Sequence, residues 1–315
     1  MKILITGGGG YIGTALATHL TSRGYSVEVV DTFWFGDFLA DIKIVKHQCD
    51  IRDGIPTPHF GIPDAVIHLA SIANDPSADL DSRLSWEVGC LGTMKVLDWA
   101  KKNNVANVLL ASSGSVYGVS EEDQVTEDVS PKPISTYNKV KMVKERIALS
   151  YQDDLRLVIL RPATVGGLSA RQRLDLAVNA LTYSANTTGT VFVDGGSQTR
   201  PHVHILDMMR AYEFFLNNNF SGVFNVGFEN LTMEDLAKRI SLKTGASIKF
   251  TDTKDPRSYR LNSDKILALG FKPQKTIDDA IQEISDAVSR GDLRASDNCY
   301  NVKWMKRKIE DGSLK

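Results

Sequence analysis

The first 23 residues leave little local freedom: the apolar run Lys2 to Thr6 empties into Thr6-Gly7-Gly8-Gly9-Gly10-Tyr11-Ile12-Gly13, and an amphipathic stretch, Tyr11 to Arg23, begins among the glycines. Glycine permits the tight turn and the close approach of a helix start to a strand end. Strand, glycine turn and helix in that order open a parallel sheet covered by helices on both faces. The alternation continues. Gly24 ends the helix, and Tyr25 to Asp31 is a second strand. Further strands are expected at Ile42 to Gln48, Ala65 to Leu69, Val108 to Ser112 and Leu155 to Leu160, with helical stretches at Leu80 to Lys102 and Tyr137 to Tyr151 separating the last three. The expected fold is α/β, a doubly wound parallel sheet of the Rossmann type.

A chain of 315 residues exceeds one small core, and beyond Arg161 the rhythm loosens. A helical stretch near Leu174 to Tyr183, strands near Val191 and Val223, and helices near Asp207 and Thr232 read as a second, smaller α+β lobe. The approximate division is 1–165 and 166–315, with segments free to cross between lobes. No internal repeat occurs, and the polar segment from Gly291, with its isolated Trp304, reads as a surface tail. With 37 basic against 38 acidic residues the chain has no electrostatic footprint for nucleic acid or an anionic membrane. Cys49, Cys90 and Cys299 form no disulfide framework and fit a reducing compartment. Ile3 to Ile5 is too short for a secretory leader, and no run approaches the ~18 apolar residues of a membrane span, so a cytoplasmic location is expected.

The glycine turn, with Tyr11 and Ile12 at the helix start, suits a pyrophosphate held at a helix N-terminus. Two registers fit: Gly8, Gly10 and Gly13, or Gly7, Gly10 and Gly13. Asp31 closes strand two, where a carboxylate can accept hydrogen bonds from both hydroxyls of an adenosine ribose and would repel a 2′-phosphate. No Lys or Arg lies between Thr32 and Ile42 to compensate, which favours NAD over NADP. Asp50, beside Ile51, is placed to meet an adenine amino group, and the alternative is a turn-forming aspartate. His68-Leu69-Ala70-Ser71 ends the fourth strand at the sheet edge where ligands sit, which brings Leu69 and Ala70 to the cofactor.

Tyr137 and Lys141 stand four apart at the start of a helix, hence on one face. An ammonium beside a phenol lowers the phenol's pKa from ~10 towards neutrality. The pair follows Ala111-Ser112-Ser113-Gly114-Ser115-Val116-Tyr117-Gly118 at the end of strand five.

This ordered set resembles the extended short-chain dehydrogenase/reductase family, specifically its NAD-dependent nucleotide-sugar epimerases and dehydratases, over nearly the whole chain. The resemblance implies Tyr137 as general base, Lys141 as the residue that tunes it and holds the nicotinamide ribose, Ser113 as the hydrogen-bond partner of the reacting sugar hydroxyl, and Ser115 as a further substrate contact. It implies oxidation at sugar C4, with the hydride then returned by an epimerase. Leu160-Arg161-Pro162-Ala163-Thr164 resembles the segment in which Pro162 reaches the nicotinamide and Thr164 stands where relatives carry a substrate-binding Asn. Arg200, in Thr199-Arg200-Pro201, and Arg257, in Asp255-Pro256-Arg257, resemble arginines that contact the nucleotide diphosphate. Asn179 is a further nucleotide contact or, equally, a helix-exposed amide; Asn74 flanks the sugar or forms a loop turn. His202 and His204 lack a third local ligand, and no metal is expected. A homodimer through Leu84 to Ala100 and Tyr137 to Ser150 is implied.

Two departures bear on the reaction. Gly89 stands where relatives carry an Asn ahead of Gly92-Thr93, and Gly114-Ser115 replaces the Asp-Glu pair of the dehydratases, so elimination falls behind epimerisation. A nucleotide-sugar 4-dehydrogenase that releases its keto-sugar would use the same residues. A non-catalytic NAD sensor would lose Tyr137 or Lys141.

Overall fold

The computed structural model describes residues 1–40, 42–120, 122–252 and 258–314. In chain order the first half runs β1 (Lys2–Thr6), α1 (Tyr11–Ser22), β2 (Ser26–Asp31), β3 (Val45–Gln48), β4 (Ala65–His68), α2 (Asp75–Ala78), α3 (Ser82–Trp86), a π-helical turn (Glu87–Leu91), α4 (Gly92–Lys102), β5 (Asn107–Ala111), a 3₁₀ turn (Gly114–Tyr117), α5 (Thr136–Leu149), β6 (Arg156–Pro162) and β7 (Thr164–Gly166). There follow α6 (Ala177–Thr188), β8 (Thr190–Asp194), β9 (Thr199–His204), α7 (Ile205–Asn217), β10 (Gly222–Val226), β11 (Glu229–Thr232), α8 (Met233–Thr244), β12 (Ser247–Thr251), α9 (Asp264–Ala268), α10 (Ile277–Arg290) and α11 (Asn301–Glu310).

Seven parallel strands form the main sheet in the order β10-β6-β5-β4-β1-β2-β3. Successive side chains point to opposite faces, so strands apolar throughout, such as Ile3-Leu4-Ile5, must be covered on both. Ile3, Ile5, Val27 and Val29 pack with Leu16 and Leu20 of α1 and Met208 and Phe215 of α7. Leu4, Val30, Val66 and Leu110 pack on the other face with Val96 and Leu97 of α4 and Ala148 of α5. The α/β fold is the expected doubly wound one.

Beyond residue 165 the chain crosses back to this sheet twice: β10 pairs with β6 at its edge, and α7 packs against α1. The elements near Val223 and Asp207, read as parts of the smaller lobe, thus complete the first. That lobe is built from α6, α8 and α10 around β8, with Val191, Val193, Leu236, Ile240 and Ile281 buried. Short sheets, β11-β9-β7 and β12-β8, join it to the rest.

Two local expectations change. The helix expected from Leu174 starts at Ala177, and residues 167–176 run as an irregular segment into the cleft between the lobes. The segment after Gly291 is more than a tail. Residues 297–310 form a 3₁₀ turn and α11, burying Cys299, Asn301 and Met305, while Trp304 donates from Nε1 to the Trp34 carbonyl at 2.6 Å.

Candidate active site

A cavity of about 720 Å³ opens at the C-terminal edge of the main sheet, where open parallel sheets place ligands. Gly7, Gly10, Tyr11, Ile12, Gly13, Asp31, Asp50, Ile51, Leu69, Ala70 and Pro162 all line it. So do Asn74, Ser113, Ser115, Tyr137, Lys141, Thr164 and Arg200. Arg257 lies outside the described residues.

At the catalytic end, the side chain of Ser135 caps α5 by accepting from the Asn138 N–H at 3.2 Å, which puts Tyr137 in the first turn and Lys141 on the same face below it. The Lys141 Nζ is 5.5 Å from the centre of the Tyr137 ring and donates to the Ala111 carbonyl at 3.3 Å. Ser113 and Ser115 share a 2.8 Å hydrogen bond at the end of β5. Burial raises the Tyr137 phenol above its usual range, and the hydrogen bond with Ser113 opposes this only in part. That corrects the expectation that Lys141 pulls the phenol towards neutrality: burial acts on the ammonium too, pushing Lys141 down to about 8 against the attraction of Glu145.

Behind this triad lies a network that sequence reading missed. Arg161, 5% exposed, donates from Nε and Nη2 to Glu145 at 2.9 and 2.7 Å and from Nη1 to the Tyr117 hydroxyl at 2.6 Å. Ser112 also donates to Glu145, and Tyr117 donates to Asn225 Oδ1 at 2.8 Å. Glu145 is four residues beyond Lys141, as Lys141 is beyond Tyr137, so one helix face carries all three. The spacing was the available signal.

A model of the NAD dependent epimerase/dehydratase family matches residues 3–227, which is most of the chain. The chain belongs to that family. Family membership makes it an NAD-dependent enzyme. It is 28% identical to a UDP-glucose 4-epimerase of Lactobacillus helveticus, over 89% of this chain and 95% of that protein. It is 27% identical to a UDP-glucuronic acid decarboxylase 1 of Danio rerio, over 99% and 78%. Among solved structures, a UDP-glucuronic acid 4-epimerase from Bacillus cereus, in complex with UDP-glucuronic acid and NAD, superposes with a TM-score of 0.82 at 25% identity, covering 92% of this chain and 99% of that one.

The residues present fit the family cofactor. A Cβ at Gly8 would stand 2.5 Å from Val29 Cβ, whereas one at Gly10 would meet no protein atom closer than 3.4 Å. Gly8 therefore packs on β2, while Gly7, Gly10 and Gly13 line the cavity, which decides between the two registers. A Cβ at Gly13 would reach 2.2 Å from the Gly7 carbonyl oxygen, so the turn closes only with glycine there. No side chain caps α1, leaving its first N–H groups for an anion. Asp31 accepts from the N–H groups of Gly9 and Phe33 at 2.9 and 2.8 Å. Asp50 is engaged by Arg52 Nη2 at 2.8 Å, and Arg52 bridges onward to Glu87. The Tyr11 hydroxyl is already engaged, donating to the Gly167 carbonyl at 2.8 Å.

Asn179 needs correction. It has no exposed surface and does not line the cavity: Oδ1 accepts from Gly167 N–H, and Nδ2 donates to the Tyr11 hydroxyl and the Arg173 carbonyl. It is neither a nucleotide contact nor a helix-exposed amide; it ties the 167–176 segment to α1. Asn74 keeps a positive φ of 72°, caps α2 through Oδ1 and donates to Asp175 at 3.2 Å. His204 caps α7 and meets Glu283 at 3.2 Å, and burial keeps His202 neutral, its pKa down to about 3. Glu28, His47 and His59 gather elsewhere, where the Glu28 carboxylate already accepts from His47 and from the N–H groups of His59 and Phe60.

The cavity wall also holds Arg171, Arg173, Asp175, Asn301 and Met305, which sequence reading left out. A helix drawn from Leu174, and a tail drawn from Gly291, hid the loop and helix that carry them.

The departure at Gly89 acquires a reason: a Cβ there would stand 2.1 Å from Val140 Cγ1 of α5. The π-helical turn and α5 are packed too closely for a side chain at this position.

Proposed function

We propose that this enzyme is a nucleotide-sugar 4-epimerase. Tyr137 takes the proton of the sugar C4 hydroxyl, Ser113 holds that hydroxyl by a hydrogen bond, and Ser115 contacts the same ring. NAD, when bound, supplies a hydride acceptor that can later return the hydride to the other face of C4. Lys141 positions the nicotinamide ribose. Arg200 from the β9 side meets the nucleotide diphosphate, with Thr164 and Asn74 beside the sugar.

The observation that carries epimerisation over elimination is at Gly114. A Cβ there would lie 3.2 Å from the Pro162 carbonyl oxygen, tighter than side chains ordinarily pack, so the position of the first dehydratase acid leaves scant room for one. The relatives named UDP-glucose 4-epimerase support the same reading.

Incubation with UDP-glucose, UDP-glucuronic acid or dTDP-glucose, followed by NMR of the product, tests it. C4 inversion of one of them without added oxidant is expected. Release of a keto-sugar with consumption of NAD would make the enzyme a 4-dehydrogenase, and loss of water would make it a dehydratase.

A homodimer belongs to this reading, supported by Trp86, Leu91 and Met94, which stay exposed along α3, the π-helical turn and α4. Light scattering showing only monomer at micromolar concentration would end it. The cytoplasm is the compartment proposed, supported by three unbridged cysteines.

A further inference from the structure

Arg171 is 2% exposed, among the largest side chains the protein buries so completely, and it lines the cofactor cavity. Its guanidinium lies over the Phe35 ring at 4.0 Å, and Nη2 donates to Asn301 Oδ1 of α11 at 2.6 Å. Nε has no hydrogen-bond partner, and among the described residues no carboxylate forms an ion pair with this side chain. Its near neighbour Arg173 differs: that guanidinium is held by Asp175 through Nε and Nη2 at 2.8 and 3.1 Å.

A buried guanidinium with no carboxylate in ion-pair contact is destabilising, because water no longer solvates it and one amide oxygen and an aromatic ring replace the water only in part. Burial and the repulsion of Arg173 lower its pKa to about 9, and an arginine so placed still carries its charge at neutral pH. Such a group makes sense where an anion arrives. Two features give the anion's place. Asp31, the ribose-binding carboxylate, lies close enough to feel the charge of Arg171, and the backbone N–H of Arg171 reaches Thr14 Oγ1 of α1 at 3.4 Å. Between Asp31 and the uncapped start of α1 runs the path expected of the diphosphate of a dinucleotide.

We propose that Arg171 is a further cofactor-binding residue, which meets the diphosphate of NAD from the side opposite the glycine turn and is aimed by Phe35 and by Asn301 of the C-terminal helix. The helix thereby becomes part of the cofactor site. Asn298 donates to the Phe35 carbonyl at 3.0 Å and Trp304 to that of Trp34, so the same helix and the turn before it fasten the loop that follows Asp31. A diphosphate also occurs in a nucleotide-sugar substrate. The nearness of Asp31 and α1 assigns Arg171 to the dinucleotide.

The proposal rests on NAD as the cofactor and not on epimerisation, and titration of wild-type protein with NAD separates the two. The test uses protein freed of bound nucleotide and titrates NAD and, separately, UDP by calorimetry. Arg171→Met is expected to weaken NAD binding about 30-fold or more, the loss typical of removing one partner of a buried charge pair. UDP affinity should stay within twofold, and Arg171→Lys should recover at least half of the loss on a logarithmic scale. NAD affinity within threefold of wild type, an equal loss for NAD and UDP, or an Arg171→Lys variant as impaired as Arg171→Met would each overturn the proposal. Weakened UDP with unchanged NAD would assign the cation to the substrate instead. If Arg171→Met lacks a cooperative melting transition, Arg171→Gln, which keeps a donor towards Asn301 without the charge, decides by the same thresholds on NAD and UDP.

Discussion

Arg161, packed behind the catalytic end, and Arg171, in the wall of the cavity, are both nearly without exposed surface, and the protein treats them in opposite ways. Burial alone would lower the pKa of Arg161, but two hydrogen bonds and the charge of Glu145 outweigh it and raise it. Arg171 has an aromatic ring, one amide oxygen and no carboxylate, and its pKa falls. The floor behind β5 and β6 is therefore saturated before any ligand arrives, which holds Ser113, Tyr137 and Lys141 in place. The front wall, drawn from the 167–176 segment and α11, is left short of negative charge. Side chains fixed by their own partners sit on the first, and a cation left for a ligand to meet sits on the second.

The chemistry supported by the floor should be hit hardest. Tyr137→Phe removes the proton acceptor and leaves the fold, so turnover should fall by about 10⁴-fold, the upper range for general acid–base catalysis, with NAD affinity little changed. Single-turnover reduction of bound NAD by substrate measures it, and substantial residual reduction would move the base elsewhere.

Breaking the saturated pair should cost stability first. Glu145→Ala strands the Arg161 guanidinium in the interior, at about 3–5 kcal/mol. Denaturant unfolding reads the loss, and a change below about 1 kcal/mol would mean the floor is less dependent on the pair than its geometry suggests.

Lys141 sharpens the contrast, because its charge is kept for function at a cost to the fold. Its pKa is about 8 in the folded protein against 10.5 for a free lysine. Between these values the unfolded chain binds more protons, so its contribution to stability rises with pH from 8 to 10.5, and below 8 the whole penalty is present. At about 1.4 kcal/mol per pH unit the penalty is bounded near 3 kcal/mol. Lys141→Met should thus be inactive yet melt higher than wild type at pH 7 in the absence of NAD, with the advantage shrinking above pH 8. A melting temperature lower than wild type at pH 7 would contradict it.

The smallest effect is expected at the front wall. Trp304→Phe loses one hydrogen bond to the Trp34 carbonyl, about 1 kcal/mol, and should loosen α11 more than the main sheet. Hydrogen exchange confined to residues 297–310 and the loop after Asp31 would show this, whereas uniform loss of protection would not.

The main sheet was legible because strands covered on both faces must be apolar throughout, and runs such as Ile3-Leu4-Ile5 and Ala65-Val66-Ile67 announce themselves. Tyr137 and Lys141 were legible because helical spacing puts positions four apart together. Asn179 was misread because one residue type serves an exposed helix surface and a buried junction equally, and only the packing of Gly167, Tyr11 and Arg173 around it tells which. Arg171 and Asn301 are 130 residues apart in the chain and carry no periodic signal.

Local order therefore settled the Rossmann half, the glycine turn and the order of Tyr137, Lys141 and Ser113, since each depends on neighbours within a strand or a helical turn. Tertiary structure decided which glycine register faces the cavity, that burial raises the Tyr137 phenol, and that the C-terminal helix walls the cavity. Each of those outcomes turns on desolvation or contact between segments distant in sequence, and neither quantity exists until the chain has folded.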